Sequence, residues 1–250
     1  SKYAMRAYQR WGSGAVDMIA ANPYLLCSHG IDLEFQKADA MAQEMDFSPS
    51  CRQRIQAGMV YILNYNANSG YTCLPLDKLR EKVSAYLQIA VADFDAAYAE
   101  LLDEHDIYAY DKGGRTFVYL EDYYIAEQYI ADRVGVILDF SAPETREDWN
   151  QLIDEQESQN GMQYADLQRE AINTALSRSM MILTGGPGTG KTTTLNAIIR
   201  LYEKMGYRVM IAAPTGRAAS RISDLTGYDA STIHRMLAVE YDMSGNMCFQ

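Results

Sequence analysis

Met180-Met181-Ile182-Leu183-Thr184-Gly185-Gly186-Pro187-Gly188-Thr189-Gly190-Lys191-Thr192-Thr193-Thr194 is the stretch whose reading decides the fold. An apolar run enters a glycine-rich turn, and an amphipathic pattern follows from Thr194 to Lys204. This spacing predicts strand, loop and helix, with G-x-x-x-x-G-K-T running from Gly185 to Thr192. The residue types set the chemistry. Gly185, Gly186, Gly188 and Gly190 let successive backbone N–H groups turn inward around anionic oxygens, and Pro187, Thr189 and Thr193 complete the loop. Lys191 brings a compact positive charge to the β- and γ-phosphates of a nucleotide. The Thr192 hydroxyl is placed to ligate the nucleotide's Mg²⁺, and the helix directs its positive end at the same oxygens. An ordinary glycine-rich turn is the competing reading; the flanking strand and helix patterns favour a phosphate loop, with Lys191 and Thr192 as catalytic candidates.

Downstream, Tyr207 to Ala213 reads as a second apolar strand, parallel to the first because a helix makes the crossover. Pro214-Thr215-Gly216-Arg217 then lies at the carboxyl end of that strand, the edge where open α/β sheets place ligands. Thr232-Ile233-His234-Arg235 opens another helical pattern. Upstream, Asp166 to Leu176 is a helix with Leu167, Ala171, Ile172 and Ala175 on one face. The expected fold is an α/β P-loop nucleotide-binding domain with a parallel sheet, over residues 163–250.

Residues 1–150 read as a mainly helical domain. Helical patterns at Ser13–Leu26 and Leu33–Ala42 flank His29-Gly30-Ile31-Asp32, the outline of a helix-hairpin-helix that can hold a DNA phosphate on backbone amides. Plain helix packing is equally open, and Asp32 and Glu34 beside the turn would repel a phosphate. Helices at Arg52–Asn64, Leu76–Leu87 and Ala92–His105 precede a β-hairpin over 107–120 that turns at Gly113-Gly114. Helix, helix, hairpin suggests a winged-helix-like unit, which binds either DNA or protein. Tyr108, Tyr110, Tyr119, Tyr123, Tyr124 and Tyr129 either stack on bases or fill the hairpin core. A helix from Tyr123 to Leu138 ends before a break at Ser141–Glu144, and the 151–162 stretch reads as a linker, its polar, acidic Asp154–Gly161 part being consistent with either a linker or an exposed helix end.

The net charge of −11 argues against general nucleic-acid binding, but it is unevenly placed. Residues 1–159 carry 13 Lys/Arg against 26 Asp/Glu, whereas residues 160–250 carry 9 against 7. The acidity therefore belongs to the first part and leaves a nucleic-acid track beside the phosphate loop possible. Four scattered cysteines form no zinc pattern, and no apolar run reaches the length of a membrane span.

Four blocks in order, Leu167-Gln168-Arg169-Glu170-Ala171, Leu183–Thr194, Ala213–Ala219 and Thr232–Arg235, resemble the RecD-like branch of superfamily-one DNA helicases. Asn22-Pro23-Tyr24, Gly30-Ile31, Lys37-Ala38-Asp39 and Gly70–Pro75 are similar to that family's helical region. The family's hairpin usually reads Gly-Ile-Gly-Phe, where this chain has Gly30-Ile31-Asp32-Leu33. The resemblance implies a RecA-like motor that is incomplete here, with no Asp-Glu strand and no arginine finger, so that the chain is expected to be a fragment. It also implies that Gln168 reads the adenine edge of ATP. Pro214, Thr215, Gly216 and Arg217 would lie against single-stranded DNA, with His234 close to that strand. The implied activity is ATP- and Mg²⁺-dependent 5′-to-3′ unwinding in recombination and repair, in the bacterial cytoplasm. Implied partners are single-stranded DNA, duplex junctions and nuclease or helicase subunits of an exodeoxyribonuclease V. Two alternatives remain open: a P-loop kinase or signalling NTPase, and an N-terminal protein-interaction module.

Overall fold

The computed structural model describes residues 2–104, 106–139, 149–238, 240–241 and 247–248. They form two compact units, Ser1–Asp132 and Arg133–Gln250.

The first unit opens with α1 (Lys2–Trp11), a helix absent from the sequence-based expectation, and α2 (Ala15–Ala21). Asn22 stops α2: its extended backbone and side-chain oxygen cap a 3-10 helix, Pro23–Cys27, by accepting from the Tyr24 N–H. A tight turn leads to α3 (Phe35–Glu44) and then α4 (Arg52–Asn68). In α4, Ile55, Met59, Ile62 and Leu63 are buried at helical spacing, as the pattern predicts. Strand β1 (Cys73–Pro75) precedes α5 (Leu76–Leu87), whose Leu79, Val83 and Leu87 recur every fourth residue on the buried face. In α6 (Val91–Asp103), Phe94, Ala97 and Leu101 line the buried face at spacings of three and four. These faces close one core around Phe94, Met59 and Leu79.

The expected hairpin forms as β2 (Ile107–Lys112) and β3 (Arg115–Leu120), antiparallel, with Lys112 opposite Arg115. Gly113 and Gly114 both have positive φ, the left-handed turn a two-residue hairpin needs. Strand β1, too short to announce itself in sequence, completes a β1-β3-β2 sheet by placing buried Leu74 opposite buried Val118. Tyr108 stacks on Tyr124 at the start of α7 (Glu121–Asp139), with Tyr119 edge-on to it. Those three rings pack on each other, whereas Tyr110 and Tyr129 are exposed. The break expected at Ser141–Glu144 lies outside the described residues.

In the second unit the stretch read as a linker or an exposed helix end is a helix. It is α8 (Trp149–Asn160), with Ile153 fully buried against Ile172 and Leu201. Its acidic residues form ion pairs: exposed Asp154 and largely buried Glu157 with Arg169, and Glu155 with Lys204. Polarity alone misreads such a helix as a tether. Helices α9 (Asp166–Ser177) and α10 (Lys191–Lys204) complete the core of this unit. Strand β4 (Ile211–Ala213), α11 (Gly216–Thr226) and β5 (Ala230–Thr232) make a parallel pair with a helical crossover, followed by α12 (Ile233–Met236). Short pairings β6 (Glu240–Tyr241) and β7 (Met247–Cys248) follow.

The parallel sheet is smaller than expected. Met180–Thr184 joins no ladder, and Ile182 is 79% exposed. The second strand covers only Ile211–Ala213 of the anticipated 207–213. An apolar run of this kind is built for burial between neighbouring strands, and among the described residues none flanks it.

Candidate functional site

The loop from Gly185 to Gly190 is exposed and ends at the N-terminus of α10, with Gly190 in the left-handed region (φ 81°) as its N-cap. Gly188 is left-handed as well (φ 76°). By helix geometry the first-turn N–H groups of α10 have no carbonyl behind them and face the loop. Two of the glycines are also closely approached by side chains that a Cβ would have to move. A Cβ on Gly185 would lie 2.8 Å from Thr189 Oγ1, and one on Gly190 would lie 2.2 Å from Gln168 Nε2. Lys191 folds over the loop, its ammonium donating to the carbonyls of Gly185 (2.5 Å) and Gly186. Thr189 Oγ1 donates to Gly186 O at 3.0 Å. Thr192 and Thr193 are half-buried in the first turn, Pro187 is exposed, and buried Thr194 donates to Gly190 O at 3.1 Å. Flexible backbone donors, a helix N-terminus and one ammonium fit a polyphosphate anion.

Gln168 is at the third position of α9, where its Oε1 accepts from the Ala165 N–H at 3.0 Å. That is half of a capping box, with alanine in the cap unable to return the bond. Its Nε2 faces Gly190 O at 3.4 Å. Sequence positions 168 and 190 are thus brought into contact. The sequence reading missed what surrounds Gln168. Glu157 accepts from the Tyr164 N–H (2.7 Å) and from Arg169 (2.8 Å), and Asp154 accepts from Arg169 (2.6 Å). The pairs are 7 to 15 residues apart and fall across two helices, so no local spacing signals them.

The second group of expected residues gathers at one sheet edge. Strands β4 and β5 are parallel with Ala213 opposite Thr232, so both chains leave the sheet on the same side. Each exit is capped by a threonine: Thr215 accepts from Ala218 N–H (3.2 Å) to start α11, and Thr232 accepts from Arg235 N–H (3.1 Å) to start α12. Pro214, Thr215, Gly216, Arg217 and His234 are all exposed there. At the opposite end of these strands, the segment between β4 and β5 is tied to α10. Asn196 reaches Leu225 O in α11 at 3.4 Å, and Glu203 accepts from Tyr228 Oη at 2.8 Å just ahead of β5.

In the first unit, the hairpin between the 3-10 helix and α3 is closed on itself. Gly30 (φ 87°) and Asp32 (φ 59°) are left-handed, and the Gly30 N–H donates to Asp32 Oδ1 at 3.2 Å. Arg6 bonds Ile31 O (3.1 Å) and Asp32 Oδ2 (3.5 Å), and Arg10 bonds His29 O (2.5 Å). The chain's own carboxylate therefore occupies the Gly30 amide, in the segment where the sequence suggests phosphate capture. Elsewhere Arg54 bridges Asp39 with two bonds and also holds the carbonyls of Pro49 and Leu87. Tyr24 Oη donates to the same carboxylate at 2.7 Å. Burial opposes charge on Asp39, yet the bonds from Arg54 and Tyr24 outweigh it and hold the carboxyl below its ordinary range. A cleft of about 280 Å³ beside this pair is lined by Phe35, Gln36 and Tyr86. No helix among the described residues is long and apolar enough to cross a membrane.

Comparison with known proteins gives two family matches. A model described as an AAA domain matches residues 168–248, and one described as the ATP-dependent RecD2 DNA helicase HHH domain matches residues 1–73. An ATP-dependent RecD2 DNA helicase of Deinococcus radiodurans is 28% identical over 247 residues, covering 94% of this chain and 34% of that protein. RecBCD enzyme subunit RecD of Mycolicibacterium smegmatis is 33% identical over 150 residues, 51% of this chain and 26% of the relative. The RecD subunit of Haemophilus influenzae is 40% identical over 62 residues, 24% of this chain and 10% of the relative. The chain thus spans about a third or less of the length of these curated relatives.

Proposed function

Since this chain belongs to the RecD-like helicases, we propose that it carries the nucleotide-binding part of an ATP-dependent DNA helicase acting 5′ to 3′ in recombination and repair, in the bacterial cytoplasm. The observation that carries the reading is the phosphate loop at the N-terminus of α10 with Gln168 lying on its last glycine. In this reading Gly185, Gly186, Pro187, Gly188, Thr189, Gly190 and Thr193 wrap the phosphates of ATP. Lys191 leaves its carbonyl contacts to neutralise the β- and γ-phosphates. Thr192 ligates Mg²⁺, which supplies charge neutralisation at the transferring phosphoryl group. Gln168 reads adenine. The threonine-capped edge, with Pro214, Thr215, Gly216, Arg217 and His234, lies along single-stranded DNA. The fold reading that goes with it is a RecA-like sheet over residues 163–250, preceded by a winged-helix-like unit. A P-loop kinase or signalling NTPase leaves that threonine-capped edge without a role.

The test is nucleotide turnover by the full-length protein. ATPase activity should rise on adding single-stranded DNA, and Lys191→Ala should abolish it with the DNA-free protein still folded. Turnover indifferent to DNA would remove the helicase reading.

For residues 1–132 a second reading is favoured by the Asp32 carboxylate on the Gly30 amide. The unit then serves contacts with the motor or with a nuclease or helicase partner subunit, rather than with duplex junctions.

A further inference from the structure

Adenine offers on one edge a donor, N6–H, beside an acceptor, N7, whereas guanine offers two acceptors there. An amide reads that difference only if its oxygen and nitrogen are held in one order. The two ends are nearly the same size, and a half-turn of the side chain exchanges donor for acceptor. In this chain the order is held by two backbone groups that cannot change roles. The Ala165 N–H can only donate, and it fixes Oε1 of Gln168 at 3.0 Å; Gly190 O can only accept, and it faces Nε2 at 3.4 Å. One lone pair on Oε1 and one N–H on Nε2 are left over, the complement of adenine's edge.

The direction of the Ala165 N–H depends in turn on how the chain enters α9. That entry is anchored one peptide earlier, at Tyr164, whose ring is buried and whose own N–H donates to Glu157 Oε1 at 2.7 Å. The other oxygen of Glu157 takes a 2.8 Å bond from Arg169, one turn along the same helix. Glu157 is thus clamped to both sides of Gln168, with its side chain only 14% exposed. Asp154 also meets Arg169 at 2.6 Å but is 64% exposed, a setting in which an ion pair holds little.

We propose that Glu157 of α8, with Arg169, is a positioning residue that fixes the order of the Gln168 amide and so sets the preference for adenine nucleotides. The proposal rests on the reading of Gln168 as the base contact, and the experiment separates the two. Binding of Mg–ATP, Mg–GTP and Mg–tripolyphosphate, a probe with no base, is measured for the full-length protein and for Gln168→Ala, Glu157→Ala, Glu157→Gln and the Gln168→Ala/Glu157→Ala pair.

Gln168→Ala should erase the preference for ATP over GTP. Glu157→Ala should weaken ATP about tenfold, the effect of one misdirected hydrogen-bonding group, with tripolyphosphate changed by less than about twofold. The double variant should be no weaker than Gln168→Ala, because Glu157 acts through that side chain. Glu157→Gln keeps an acceptor for Tyr164 and a near-identical shape; it should fold as the parent does and fall between parent and Glu157→Ala. Equal losses for ATP and tripolyphosphate, or additive losses in the double variant, would reduce Glu157 to a fold-stabilising residue and overturn the proposal. If Gln168→Ala loses the preference while both Glu157 variants keep it, positioning by Glu157 is wrong and the base contact stands. If Gln168→Ala keeps the preference, the base contact itself falls and the proposal with it.

Discussion

Gly190 does two jobs at one α-carbon. Its left-handed backbone turns the loop into α10, and its missing Cβ makes room for the Gln168 amide. Gly190→Ala is expected to cost about 1–2 kcal/mol of backbone strain, and to displace Gln168 as well. Calorimetry should register both a lower melting temperature and weakened nucleotide binding; alanine tolerated without loss of ATP affinity would contradict the close approach. At the N-terminal hairpin the informative change is Asp32→Gly. It removes the carboxylate from the Gly30 amide and suits the φ of 59° already present. Affinity for duplex DNA at low salt should rise about fivefold, one backbone hydrogen bond's worth plus relief of repulsion. At the Asp39–Arg54 pair, Arg54→Ala strands a largely buried carboxylate and should destabilise the first unit by about 3–5 kcal/mol. The folded carboxyl titrates below its ordinary 3.8, so its contribution is full above that value and fades as pH falls through the folded value. Acid unfolding of Asp39→Asn should lack that component. The phosphate-loop residues are legible in sequence because their chemistry is local: glycine for space, lysine for charge, and a helix pattern directly behind. Asp32 is legible as a charge beside its turn, but its bond to the Gly30 N–H is not, nor is the bond of Glu157 to the Tyr164 N–H, since only the fold sets the direction of those amides.

Among the elements, α8 is the clearest difference between pattern and structure. Its sequence Trp149–Asn160 is polar enough to pass for a tether, yet Ile153 anchors it in the core. Ile153→Ala should therefore cost about 2–5 kcal/mol, whereas the same change in a tether would cost nothing. A thermal melt of the variant decides between them. Helices α4, α5 and α6 are legible because three or more apolar residues repeat on one face of each. Strands β1 and β5 carry too few residues for periodicity to register, and their pairing depends on distant partners, Val118 and Ile211–Ala213. The run at Met180–Thr184 has strand composition without strand hydrogen bonds. Composition reports what a segment can bury, and a ladder needs neighbours.

At the scale of the whole molecule, two units with separate cores should not melt as one. Mg–ATP binds only the second in the proposed reading. Saturating nucleotide should raise the transition of residues 133–250 and leave that of residues 1–132 in place; at one hundred times Kd the gain is about 2.7 kcal/mol. A shift of both transitions together would mean the units unfold as a single body. The 14-residue helix α10 has one further consequence. It is a stiff rod about 21 Å long, holding Lys191 at one end and, at the other, the Glu203 carboxylate bonded to Tyr228. Any tilt that phosphate imposes on its first turn reappears as leverage on the segment entering β5, so Tyr228→Phe is where such a transmission would slip.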